Sequence, residues 1–516
     1  MSHQIRVSRV ADAGFRRSRG VRGRMVSKKF TGEPAWAGMD IGTQGVRVTV
    51  VDGRGTPLAT GSAPLRSRRG EGRGHEQDPE DWWRAAVTAC RQATAGLAPG
   101  RIRALAVCST SGTIVLADAA ARPVSPALMY DDDRGRPYVE RVTAAGQELW
   151  DDLAVRIQAS WALPKLLWLA ENGGLPAGAR LLHSADLVTA RLAGELTATD
   201  SSHALKTGYD SLRERWPLEV MSRLGLPSDL FGPVTRPGSP IGEVGAEAAA
   251  LTGLPEGCGI VAGMTDGCAG QIAAGALTPG SGVSVLGTTL VLKGVSEKLL
   301  RDPAGAVYSH RHPGGGWLPG GASNVGAGVL ASAFPGRDLA ALDEAAARYE
   351  PAGAVVYPLT TRGERFPFYR PDAEQVVVGE TATEAEHYAA LLQGVAYGER
   401  LGLASLALLG APVSEHLALV GGATRSRYWC QLRADVLGMP VRIPRHPEAS
   451  VGMAVLAASS GRSLDDTARE MVSRGEQLDP RPDRVARFEQ SFRLLVDALA
   501  ERGYLTTELA AKAVTS

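Results

Sequence analysis

A short strand–turn–strand unit that occurs twice constrains this chain more than any other feature. In the first copy, an apolar run opening at Ala35 reaches Met39-Asp40-Ile41-Gly42-Thr43-Gln44-Gly45-Val46-Arg47, and Val46, Val48, Val50 and Val51 carry it onward. In the second, Gly282-Val283-Ser284-Val285-Leu286 enters Gly287-Thr288-Thr289 and leaves through Leu290-Val291-Leu292, 245 residues later. Apolar, β-branched runs on both sides of a Gly/Thr turn predict a hairpin. A dinucleotide-binding or Walker loop needs a helix directly after its glycines, so neither motif is present here. Two copies predict a duplicated domain. A Gly-Thr turn offers backbone N–H groups and a hydroxyl to phosphate oxygens. One such turn is an ordinary hairpin connection, whereas two facing one cleft point to a shared phosphate chain.

Between the hairpins, strands and helices alternate as in an α/β layer architecture. Asp78-Pro79-Glu80-Asp81 is a helix start with a cap, a first-turn proline and first-turn acids. Ile102 to Ser109 reads as a buried strand. Helices are expected over 164–172, 185–192 and 216–224, and later over 387–409 and 427–437, with two more after Ser463. Prolines at 227, 233, 237 and 240 mark a loop-rich stretch, and the domain boundary is expected near residue 255.

At 516 residues the chain is too long for one compact core. A net charge of +1 gives no global field for nucleic acid or anionic membrane, and no apolar run approaches the ~20 residues that span a bilayer. Five cysteines without metal-ligand spacing read as reduced thiols, as in the cytoplasm. Residues 1–33 are strongly basic with Asp12 the one acid before Glu33, and read as a disordered extension or an upstream start with Met25 as the true beginning.

Several residues are candidates for chemistry. Asp40 ends a strand before its turn and can hold a divalent cation beside phosphates, or accept local N–H bonds as a turn aspartate. Asp266, in Gly263-Met264-Thr265-Asp266, precedes a helix of small residues; it suits a general base or a helix cap. Gly421-Gly422-Ala423 follows a strand and lets a nucleoside lie flat against backbone. Ser109-Thr110-Ser111-Gly112-Thr113 offers short hydroxyls. Asp131, Asp132 and Asp133 cannot all face one point, and Asp132 is the one expected to reach a ligand.

In this order these segments resemble the FGGY carbohydrate kinase family of the actin-like ATPase superfamily, from about residue 35 to about 500. The resemblance implies an α/β fold of two ribonuclease H-like (actin-like ATPase) domains, 34–255 and 256–516, with an interdomain active-site cleft. It implies ATP and Mg2+, with Asp40 at the metal and substrate, and Gly42, Thr43, Gln44 and Arg47 at a first phosphate loop. Gly287 and Thr288 then form a second loop, Gly421 and Gly422 lie against adenosine, and Asp266 is the catalytic base. Where the family often has Asn near the nucleotide, Ser426 stands here. Ser111 and Asp132 fall in segments similar to those beside the sugar in the D-ribulokinase and xylulokinase-like branch. The Gln-Met-His segment of xylulokinases is absent. The implied reaction is phosphorylation of a ketopentose, D-ribulose first and D-xylulose second. The partners are sugar and ATP, not nucleic acid or membrane, and a homodimer is left open. A non-catalytic nucleotide-binding protein of the same superfamily is the competing class.

Overall fold

The computed structural model describes residues 32–70 and 74–515. The expectations for residues 1–31 lie outside the described residues.

Each Gly-Thr turn closes an antiparallel hairpin, Ala35–Ile41 with Gly45–Val51 and Gly280–Leu286 with Leu290–Lys293. The surroundings are duplicated too. The first sheet runs in the order Pro240–Glu243, Gly259–Val261, Ile102–Ser109, Ala35–Ile41, Gly45–Val51, Pro57–Pro64. The second contains Glu476–Leu478, Val441–Ile443, Val413–Val420, Gly280–Leu286, Leu290–Lys293 and Trp317–Ser323, with Tyr308–Arg311 added at its edge. Read in those orders, the five pairings of each six-strand set are antiparallel, parallel, parallel, antiparallel, antiparallel. The chain is therefore a duplicated α/β protein of two twisted mixed sheets.

Asp78 caps the helix Pro79–Thr94 through the amide of Glu80, and the helix covers the first sheet with Trp82, Ala86 and Cys90 buried. The 26-residue helix Glu384–Leu409 covers the second. Inside that half, Arg433 and Glu399 form a fully buried ion pair at 2.6 Å, and Arg433 also donates to Ser284 on the hairpin. A smaller sheet of Ser67–Arg69, His75–Gln77, Ala127–Leu128, Ile114–Ala117 and Arg180–His183 rises beside the first. Helices Ala162–Asn172 and Ser184–Ala193 flank it.

The other face of the first sheet is covered by Ala449–Ala458, a helix from near the end of the chain. Its approach depends on glycines. A Cβ on Gly38 would stand 1.8 Å from the Ser450 carbonyl oxygen, and one on Gly452 would stand 2.0 Å from that of Ala269. Thr49 and Ser450 add a buried hydroxyl–hydroxyl bond of 2.8 Å.

The sheet pairing moves the expected boundary. Gly259–Val261 pairs in parallel with Ala104–Ala106, so a cut near residue 255 removes a strand from the first sheet. The proline-rich stretch is a detour within that half, and the chain crosses to the second sheet between Ala273 and Gly280. The tail after Ser463 holds three helices, Leu464–Met471, Pro482–Glu501 and Thr507–Thr515, instead of two. No described helix is long and apolar enough to cross a membrane.

Candidate active site

Three parallel neighbours of the first sheet, Gly259–Val261, Ile102–Ser109 and Ala35–Ile41, end at one edge. Ligands of open α/β sheets gather outside such strand ends. Asp40 stands there on the first hairpin, Ser109 begins the next loop, and a bridge from Ser109 to Thr265 places Asp266 beside them. Asp266 opens the helix Asp266–Ala273 and accepts the amide of Gly267 at 2.7 Å. Thr265 occupies the cap position, but its hydroxyl bonds to Ser202 at 3.1 Å, so neither side chain serves as a conventional cap.

Both carboxyls are pushed up. Burial raises Asp40 to about 6, the charge of Asp266 adds to this, and the Cys108 thiol, donating at 3.5 Å, works against it. Burial likewise raises Asp266, opposed by its own bond to Gly267 and by Lys206, His203 and Lys293. Two carboxyls that repel each other and lack full hydration favour a proton or a cation nearby.

The cations around Asp266 are held in turn. His203 shares a proton with Asp200 at 2.6 Å and bonds through Nε2 to Ser109 at 2.8 Å. Burial opposes charge on His203, but Asp200 more than overcomes this and the ring is pushed up to about 9. Lys293 is buried, 3.5 Å from the Cys268 sulfur. Lys206 reaches the Ser111 carbonyl at 3.4 Å. His310, buried near Lys293 and Lys206, is held well below its ordinary value and bonds to Ser202.

The first turn is closed by Gly42 N–H donating to Gly45 at 3.0 Å, and Gln77 fixes it through the Thr43 carbonyl at 2.7 Å. Gln44 and Arg47 are exposed, and Arg47 lies directly across the hairpin from Asp40. The second turn packs on Val325–Gly328: Ala327 and Gly328 donate to the carbonyls of Gly287 and Thr288, and a Cβ on Gly326 would stand 2.4 Å from Thr288 O. Space remains open at Gly287 and Gly422. Gly421 has φ +99° and sits against the Leu286 carbonyl, where a Cβ would be 2.5 Å away. The second turn and the glycine pair thus form one surface of exposed backbone. Ser426 caps Arg427–Leu437 through Trp429 N–H and donates to Asp343 at 2.7 Å.

Just beyond the strand Ile102–Ser109, the Ser111 hydroxyl is buried without a hydrogen-bond partner, so a polar ligand could satisfy it. Asp132 does not reach out as expected. It is fully buried, accepts the His75 and Arg134 amides, and is paired with the Arg134 guanidinium at 2.6 Å. Its neighbour Tyr130 is 42% exposed, and burial, Asp131 and Asp266 push its hydroxyl upward. Tyr130, Lys206 and Asn324 lie in segments whose sequence resembles those beside the sugar in the ribulokinase-like branch, but they were given no role; His203, Lys293 and Val325–Gly328 were not singled out. Lys206 and Lys293 are also two of seven lysines in an arginine-rich chain.

Asp40 also bears on a divalent cation. No group of three or more His, Cys, Asp or Glu able to hold a metal occurs among the described residues. Asp40 forms no ion pair among them, and its carboxyl is raised. That suits Mg2+, which is commonly held by one or two carboxylates together with substrate phosphates and water.

Models of the N-terminal and C-terminal domains of the FGGY family of carbohydrate kinases match residues 35–273 and 282–461. The chain is 31% identical over 486 residues to a xylulose kinase of Streptomyces coelicolor, covering 91% of this chain and 96% of that one. It is 28% identical over 494 residues to an autoinducer-2 kinase of Yersinia enterocolitica, covering 87% and 91%. The structure of a xylulose kinase from Rhodospirillum rubrum superposes with a TM-score of 0.80 at 26% identity, over 91% of this chain and 99% of that one. The chain belongs to the FGGY family of carbohydrate kinases.

Proposed function

From that membership we propose that the chain transfers the γ-phosphoryl group of ATP to the terminal hydroxyl of a ketopentose. The observation that supports this best is the joint placement of Asp40, Ser111 and Asp266 at one sheet edge, with the open backbone of Gly287 and Gly422 in the other half. Asp266, raised yet held by Gly267, takes the proton of the acceptor hydroxyl as the new P–O bond forms. The amides of both Gly-Thr turns and Arg47 bind and orient the triphosphate. Mg2+ beside Asp40 would neutralise charge on the phosphates. Approach of the two halves excludes water from the transferring group.

Two acceptors lead. The relatives named xylulose kinase favour D-xylulose. The loop 109–113, which lacks the Gln-Met-His segment that xylulokinases carry in this place, favours D-ribulose. Specificity constants for D-xylulose, D-ribulose, L-ribulose, ribitol, glycerol and autoinducer-2 decide. A leading value for either ketopentose is expected, and preference for glycerol or autoinducer-2 overturns the ketopentose assignment.

A further inference from the structure

Lys165 stands in the first turn of Ala162–Asn172 with its side chain fully buried. Its Nζ donates to the Gly112 carbonyl at 2.7 Å and to the Met129 carbonyl at 2.6 Å. Gly112 directly follows Ser111, and Met129 directly precedes Tyr130. One amine therefore bridges the last part of the 109–113 loop and the end of the strand Ala127–Leu128, just beyond the Ile114–Leu128 pairing of the small sheet. The block around it is rigid. Arg134 is paired with Asp132 and Glu76 and lies 4.3 Å over the Trp168 ring of the same helix. A Cβ on Gly135 would stand 2.9 Å from Lys165 N.

We propose that Lys165 is the positioning residue of the acceptor side: it clamps the loop of residues 109–113 to the segment 127–134, and the proton on Nζ sets how firmly the two are held. The proposal rests on the reading that these segments face the sugar. A neutral amine has two N–H donors, and the two carbonyls use both. Burial is the largest influence on Lys165 and pushes it down to about 7; Asp132 and Asp131 oppose this, while Lys206 and Arg134 reinforce it. Charging the amine adds a third donor with a desolvation cost in a closed pocket. An opened loop would return the amine to water and restore its ordinary basicity, so protonation favours the opened form, and acceptor binding weakens as pH falls through about 7. The phosphate turns sit on other strands and keep their grip on ATP.

Steady-state kinetics of the full chain from pH 5.5 to 9, with D-xylulose and D-ribulose, test this beside NMR titration of [ε-13C]lysine-labelled wild-type protein. Seven lysines give a sparse spectrum, and Lys165→Arg assigns the signal. Expected are one resonance titrating near pH 7 and an acceptor KM that rises about tenfold from pH 8 to 6 while the ATP KM stays within twofold. Lys165→Met should raise the acceptor KM about tenfold at pH 8 and flatten its pH profile, with kcat within threefold. If that variant does not fold, the wild-type titration and KM profile decide. A Lys165 signal titrating above pH 10, or acceptor and ATP KM rising together in Lys165→Met, overturns the clamp. An unchanged acceptor KM in Ser111→Trp overturns instead the reading that the loop faces the sugar.

Discussion

Gly38 lies against Ser450 so closely that any Cβ would stand 1.8 Å from the Ser450 carbonyl oxygen. The strand that delivers Asp40 and a helix from more than 400 residues away thus meet backbone to backbone, next to the helix that delivers Asp266.

Gly38→Ala should therefore destabilise the protein by about 1–3 kcal/mol, the usual range for overpacking a core. Gly232→Ala, where a Cβ meets nothing within 4 Å, should stay within about 0.5 kcal/mol. Denaturant melts of both variants check this, and equal midpoints would show that the helix can shift.

Asp266→Asn keeps size and hydrogen bonding but removes the base. Turnover should fall about 10²–10⁴-fold while an ATP analogue binds as before. A coupled kinase assay and an analogue titration read the two quantities, and near-normal turnover would remove Asp266 from the base role.

At saturating sugar, kcat should rise with pH through about 6 and then level. Burial and the charge of Asp266 raise Asp40 to about 6, so below that point the Asp40 carboxyl is substantially protonated and no longer serves as a metal ligand. The Cys108 thiol lowers Asp40, so Cys108→Ala should move the acid limb to higher pH. A limb that stays in place or moves down in this variant contradicts the assignment.

Stability should fall in the alkaline range because of His203. Its pKa is raised by the fold, from 6.5 to about 9. Its contribution is therefore fully present below about 6.5 and is lost as pH rises through about 9. Thermal melts from pH 6 to 10 should show this loss, and His203→Gln should reduce it.

What could be read from the sequence was what local chemistry determines. The two Gly-Thr turns, the cap at Asp78 and the helix Arg427–Leu437 depend on residues within a few positions. Asp40, Asp266, Gly287 and Gly421 could be singled out because each sits at such a junction. The misses depend on distant pairing. His203 meets Ser109, Lys206 meets Ser111, and Gly259–Val261 joins the first sheet by partners more than 90 residues away. Asp132 was a different error. Three consecutive acids look alike in sequence, and the Arg134 that buries the middle one sits only two residues on.

The late position of Ala449–Ala458 also has a consequence for synthesis. Strand Ile102–Ser109 leaves the ribosome 349 residues before Ala458, roughly 20–70 s earlier at about 5–20 residues per second. Through that interval Ala106 and Cys108 have no Val451, Val455 or Leu456 to cover them, and Val261 lacks them from its own synthesis onward. Until the chain is nearly complete, the nascent first half therefore carries the part of this apolar face that Ala449–Ala458 covers as exposed surface.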